Sequence, residues 1–231
     1  MTTPIDVRPR SAGEPVPDIL GMKLAHRVML KDAARLVALA ADLAAGRTAY
    51  DRKRAQAVAA YVVDFADSVH HHHTAEDEIL WPVIAASAGP HIDLTALTDD
   101  HSVLDPRLDQ LRSAATRFAA APGEDTATVL AVGLAELRDL LNEHIADEEV
   151  SVFPVIEEYV SVGNWQEVES RIRKRASLTF EIPRVVAATT PAEYATLRAE
   201  APLPVRLMIA LLVPRFRRRE RVVFGSETQR S

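Results

Sequence analysis

The chain contains no cysteine. Disulfides, thiolate metal sites and cysteine nucleophiles are therefore excluded. Glycine is sparse, at 8 in 231 residues, proline (14) is gathered toward both ends, and aromatics make up only 5%. A chain so poor in turn formers and β-branched runs argues against an all-β fold and for helices. Positive charge is not in excess: the net charge is -6, so the whole protein is a poor nucleic-acid binder. No glycine-rich phosphate loop is present. The longest apolar run, Leu203 to Val213, is interrupted by Arg206 and spans 11 residues. A bilayer-spanning helix needs about 20. Met1 to Pro17 lacks an apolar core segment and reads as a flexible N-terminal arm, which points to a cytoplasmic protein.

What is abundant is alanine and leucine at helical spacing, and 48% of residues are hydrophobic. Four long helices are expected in residues 18–163. The first runs from about Asp18 to Ala45 and stops at Gly46. The second follows Thr48, a possible cap, and ends at Gly89-Pro90. The third starts near Asp93, carries Pro106 as a kink or late start, and ends before Pro122-Gly123. The fourth runs from about Asp125 to Val162 and stops at Gly163. Short connections make successive helices antiparallel, so the expected fold is all-α, an up-down-up-down four-helix bundle. Residues 164–231 form an additional C-terminal helical extension. Asn164 with Glu167, and Thr190-Pro191-Ala192-Glu193, look like helix starts. A last helix over Leu203 to about Val213 leads into a basic tip from Arg215 to Arg221, read as a solvated end or a contact for a membrane surface or protein.

The eight histidines are unevenly placed. His26 has Ile19, Met22, Met29 and Leu30 at helical spacing. His72 has Phe65, Val69 and Ile79. His101 has Leu94, Leu97, Leu104 and Leu108, and His144 has Leu137, Leu140 and Leu141. Each lies in the apolar stripe of a different helix, and a bundle brings those stripes to one axis. Buried unpaired polar groups cost roughly 1–3 kcal/mol each, and one metal site satisfies all four. Glu76 follows His72 by four residues and Glu148 follows His144 by four, which stacks imidazole and carboxylate on one face. No Lys or Arg shares that stripe, so the carboxylates need another cation.

The motif repeats. His72 to Ile84 aligns without a gap on His144 to Ile156, at an offset of 72. His, Glu, Pro, Val and Ile coincide, Asp77 faces Glu149, and Trp81 faces Phe153. The chain is two copies of a hairpin reading His…His-x-x-x-Glu. A pseudo-twofold pair of such hairpins supplies a nearly symmetric site for two ions.

On these residues, about 20 to 160 of the chain resemble the hemerythrin-like, or HHE cation-binding, family, of the bacterial single-domain type. The resemblance implies a four-helix bundle around a non-haem di-iron centre, two iron ions with an oxo or hydroxo bridge, zinc or manganese being less favoured. It gives ligand roles to His26, His72, Glu76, His101, His144 and Glu148, with the two glutamates as bridges. Three departures are present. The invertebrate oxygen carriers of the family have a second histidine one turn after the third-helix histidine, where this chain has Asp105. Their last carboxylate lies five residues after its histidine, which makes Glu149 a rival to Glu148. His70 to His73 is a run of four, from which the internal repeat selects His72. His73, with Asp77 four residues on, remains an alternative ligand or an outer partner, whereas His71 is expected to face solvent and His91 to sit in an exposed turn.

Imidazole and carboxylate donors without thiolate suit iron, manganese or zinc. Four histidines to two glutamates is poor in carboxylate for iron storage. If Asp105 stays out, one nitrogen is missing relative to the oxygen carriers and the iron is more open to O2, hydrogen peroxide or NO. The expected function is small-molecule redox chemistry, peroxide decomposition in the manner of a catalase or NO-related turnover. The alternative is a non-catalytic module that binds or senses O2, NO or iron. No catalytic residue is assigned beyond the ligands, and no side chain is placed as an obvious general acid, although His73 and Asp105 are candidates.

Overall fold

The computed structural model describes residues 4–225; the first three residues of the expected arm and the last six of the extension lie outside the described residues. Among the described residues the chain is helical from Leu20 onward apart from short connections, and residues 4–19 form an extended lead-in with one isolated bridge between Pro9 and Val160. Helix α1 spans Leu20–Ala44, α2 Arg52–Ala75, α3 Trp81–Ala88, α4 Thr95–Ala120 and α5 Glu124–Tyr159. A π turn, Glu76–Leu80, joins α2 to α3, so the two act as one rod of the bundle. The α1 rod packs along α5, α2 along α4, and α4 along α5. This is the all-α, up-down-up-down bundle expected from the sequence.

Helix ends follow local chemistry. The Asp51 carboxylate accepts the Arg54 backbone N–H at 2.7 Å, so Asp51 and not Thr48 caps α2. Gly46 stands beyond α1 at φ +66°, a conformation that suits a residue without Cβ. Helix α4 runs unbroken through Pro106, which sits on its exposed face. Pro82 has no N–H to give the Glu78 carbonyl and its ring crowds that carbonyl. The wide turn just before it absorbs the misfit, and Trp81 N–H reaches back to the Glu76 carbonyl instead.

The fourth rod ends earlier than Gly163. It stops at Tyr159, and α6, Val162–Arg175, begins at once on a Ser161 cap, with Gly163 and Asn164 inside its first turn. Helices α7 (Leu178–Ala188), α8 (Pro191–Glu200) and α9 (Leu203–Phe224) follow. Thr190 and Glu193 make the expected capping box at α8. Helix α9 continues through Pro214, so the arginine-rich stretch is helical and not a separate tip. Helix α7 packs on α1 and α9 on α2, with α7 and α9 in contact. A buried polar cluster joins extension to bundle. Arg184 Nε donates to Asp32 Oδ2 at 2.7 Å and its Nη1 to Ser68 Oγ at 2.9 Å, while Tyr61 OH donates to Asp32 at 3.0 Å. Among the described residues no helix is long and apolar enough to cross a membrane.

Two apolar clusters fill the bundle. One contains Leu36, Val58, Phe65, Leu108, Phe118 and Leu134. The other contains Leu80, Trp81, Ile84, Leu97, Val152 and Trp165. His26, His72, His101 and His144 fall between the two along their helices, so the polar site is sealed by hydrocarbon at both ends.

Candidate metal centre

The six residues expected as ligands come together, and a seventh joins them. His26, His72, Glu76 and Glu148 place donor atoms within 4.8 Å of one another, and so do His73, His101 and His144. His72 and His73 are neighbours on α2, about 100° apart around the helix. One therefore serves each group. The carboxylates stand between the groups. Glu76 Oε1 is 2.7 Å from His72 Nε2 and its Oε2 is 3.5 Å from His101 Nε2. Glu148 Oε2 is 3.4 Å from His26 Nε2 and 4.0 Å from His144 Nε2.

Outer carboxylates orient three of the rings. His26 Nδ1–H donates to Glu149 Oε1 at 2.9 Å, His101 Nδ1–H to Asp77 Oδ1 at 3.0 Å, and His144 Nδ1–H to Asp100 Oδ2 at 3.3 Å. A carboxylate accepts, so Nδ1 carries the hydrogen and the Nε2 lone pair is turned inward. This is the arrangement that metal-binding imidazoles adopt. The hairpins exchange these contacts. Glu149 of the second supports His26 of the first, and Asp77 of the first supports His101 of the second. The aromatics do likewise: Phe153 stacks on His26 at 5.7 Å and Trp81 on His101 at 6.1 Å between ring centres.

The interior holds polar atoms without partners. His26 Nε2, His72 Nε2, both ring nitrogens of His73 and all four carboxylate oxygens of Glu76 and Glu148 are buried and make no hydrogen bond. The short His72–Glu76 approach is not aligned as one. His101 Nε2 and His144 Nε2 face each other at 3.1 Å. Burial keeps the site imidazoles below their ordinary pKa, most strongly His26 and His73, and so neutral. Burial lifts Glu76 and Glu148 well above the usual carboxylate range, and the nearby Glu76 charge lifts Glu148 further. Neutral imidazole lone pairs around desolvated carboxylates, without Lys or Arg, make a donor set that fits divalent or trivalent cations.

Residues 19–156 match the profile of the hemerythrin HHE cation binding domain. The chain belongs to that family. No curated protein and no solved structure matches the chain. In this HHE domain His73 was the residue that the repeat could not select, because its counterpart 72 residues on is Ile145, an apolar core residue. Its signal was available at helical spacing, since Ala66, Val69 and Leu80 lie on its own stripe and are buried. Asp105 stays out of the cluster, and His73 places a fifth imidazole in it beside His101 and His144. Asp105 Oδ1 instead accepts from His70 Nδ1 at 2.9 Å, with both side chains about half exposed. Glu149 lies outside Glu148, as a partner of His26. His71 is half-buried against the extension, where solvent exposure was expected, and His91 stacks on Tyr159 at the surface.

Proposed function

We propose that the HHE domain of this protein holds two iron ions and uses them to react with small oxygen or nitrogen species, with hydrogen peroxide as the leading substrate. The observation that carries the reading is the pair of donor groups, three imidazoles against two, with a carboxylate standing between them on each side. Glu76 and Glu148 suit the bridging role, because each faces imidazoles of both groups and no other cation neutralises them. His73, His101 and His144 would hold one ion, and His26 and His72 the other. Iron supplies the electron transfer when bound. Glu149, Asp77 and Asp100 keep the protons on Nδ1 and hold the rings in place. The two apolar clusters exclude bulk water from both ends. With both carboxylates shared, the side with two imidazoles would have fewer protein donors and would be where a small molecule has room. His72 is also the most solvent-accessible of the five site histidines, at 17% against 1–3% for His26, His101 and His144.

Iron-loaded protein is expected to consume hydrogen peroxide with release of oxygen, and His144→Ala is expected to abolish this. Turnover no greater than that of free iron overturns the enzymatic reading. A second reading, reversible binding or sensing of O2 or NO, is favoured by His73. The fifth imidazole brings the centre nearer to saturation and leaves room on one side only. Stopped-flow spectra separate the two readings. A spectral change that reverses on removal of O2, without peroxide consumption, supports sensing.

A further inference from the structure

Beside His72 and Glu76 lies a cavity of about 250 Å³. Its walls are Met22 and Ala25 of α1, Leu80 of the π turn, Trp165 and Ile172 of α6, and Val185 of α7. None of these side chains is exposed. Trp165, Ile172 and Val185 all lie beyond residue 156, so the C-terminal extension builds one wall of a chamber whose other wall belongs to the HHE domain. The Trp165 ring is fixed in that wall, since its Nε1–H donates to the Asp18 carbonyl at 2.8 Å. Glu169 and Arg173 of α6, 3.4 Å apart, also line the cavity, and Arg173 is largely exposed and marks its mouth.

The size and chemistry do not suit a diatomic gas or peroxide alone. Water occupies about 30 Å³ of liquid, and an apolar cavity of about 150 Å³ already takes benzene. Charged ligands are disfavoured by the apolar walls, because desolvation there would go uncompensated. The mouth pairs one acid with one base and selects neither sign. Of the polar lining groups, His72 and Glu76 stand at one end, while Glu169 and Arg173 stand together on α6. We propose that this chamber binds a small uncharged organic molecule, its alkyl or aryl body between α1 and α6 and its single polar end toward His72 and Glu76. This deepens the proposed function and rests on it only in naming that end as the metal side. The organic molecule would then share the two-imidazole side with the small oxidant.

The probe is 2-phenylpropan-2-ol, an uncharged alcohol with a phenyl body, titrated calorimetrically into metal-loaded protein. Saturable binding at one site per chain is expected. Ala25→Phe and Ile172→Phe fill the chamber from opposite walls and should each weaken binding by roughly tenfold or more. Metal content and thermal midpoint should stay unchanged. Absence of saturable binding to the unmodified protein overturns the inference, as does undiminished binding in a folded variant of either kind. Saturable, variant-sensitive binding in protein that does not consume hydrogen peroxide upholds the chamber and defeats the peroxide reading alone.

Discussion

His73 and Ile145 occupy matching positions in the two hairpins, and that difference makes the centre unequal. Replacing His73 by Ala removes one of three imidazoles from the His101–His144 side. The expected result is a protein that stays folded and loses about half its metal, read by elemental analysis. Asp105→Ala, by contrast, should leave metal content unchanged, because Asp105 bonds to His70 at the surface. The carboxylates give a second test. Ligands must be deprotonated to bind metal. Burial keeps the imidazoles below their ordinary pKa and lifts Glu76 and Glu148 above the usual carboxylate range, so in metal-free protein the glutamates hold protons to higher pH than exposed carboxylates do. Loading is expected to release protons from the glutamates and not from the histidines, measured by calorimetry in buffers of different ionisation enthalpy. Glu148→Gln should reduce that release. Four of the five imidazoles were legible from their apolar neighbours at helical spacing. His73 was not, because the repeat rule prefers the position that both halves share. The choice between Glu148 and Glu149 was latent in the repeat too: Glu149 aligns with Asp77, and both prove to be outer partners of the other hairpin's first histidine.

Among the elements, the long rods of the bundle were readable from apolar periodicity and from Gly46, Gly89-Pro90 and Pro122-Gly123. Their internal irregularities were not. Pro82 and Pro154 align in the repeat, yet Pro82 follows a π turn while Pro154 sits inside a continuous α5. Sequence spacing does not separate those outcomes, because one extra residue in a turn barely disturbs an apolar stripe. The boundary after α5 was misplaced for a related reason. Gly163 reads as a stop, but the Ser161 hydroxyl and Asn164 make a cap just before it, and the glycine falls inside the next helix. The seam between α7 and the bundle offers a stability test. Arg184 and Asp32 are almost fully buried, at 2% and 5% side-chain exposure. Truncating one member of such a pair costs up to about 3–5 kcal/mol when the other charge is stranded, and less here because Asp32 keeps Tyr61 and Arg35 as partners. Arg184→Ala should therefore lower unfolding stability by about 1–3 kcal/mol in chemical denaturation. A loss below about 1 kcal/mol, the level of an exposed pair, would show that the seam is solvated.

For the molecule as a whole, two apolar clusters enclose a polar core that hydrogen bonds do not satisfy. Such a core is stable only when something else neutralises it. A ligand that binds the folded state alone stabilises it by mass action. Chelation should therefore lower the thermal midpoint of the unmodified protein, and should do so much less in His144→Ala, whose site is already damaged. The extension was legible as helix, through the capping box at Thr190 and the apolar run from Leu203. Its contribution of Trp165 and Ile172 to a cavity beside His72 depends on tertiary docking, which local spacing does not encode.

Five imidazoles and two carboxylates are proposed to hold a pair of ions. The most direct measurement is iron stoichiometry on folded protein reconstituted anaerobically, with the ultraviolet-visible spectrum after oxidation. Two irons per chain with an oxo-bridge charge-transfer band are predicted. Saturation at one ion per chain or fewer, in protein whose helical content is intact, would contradict the claim.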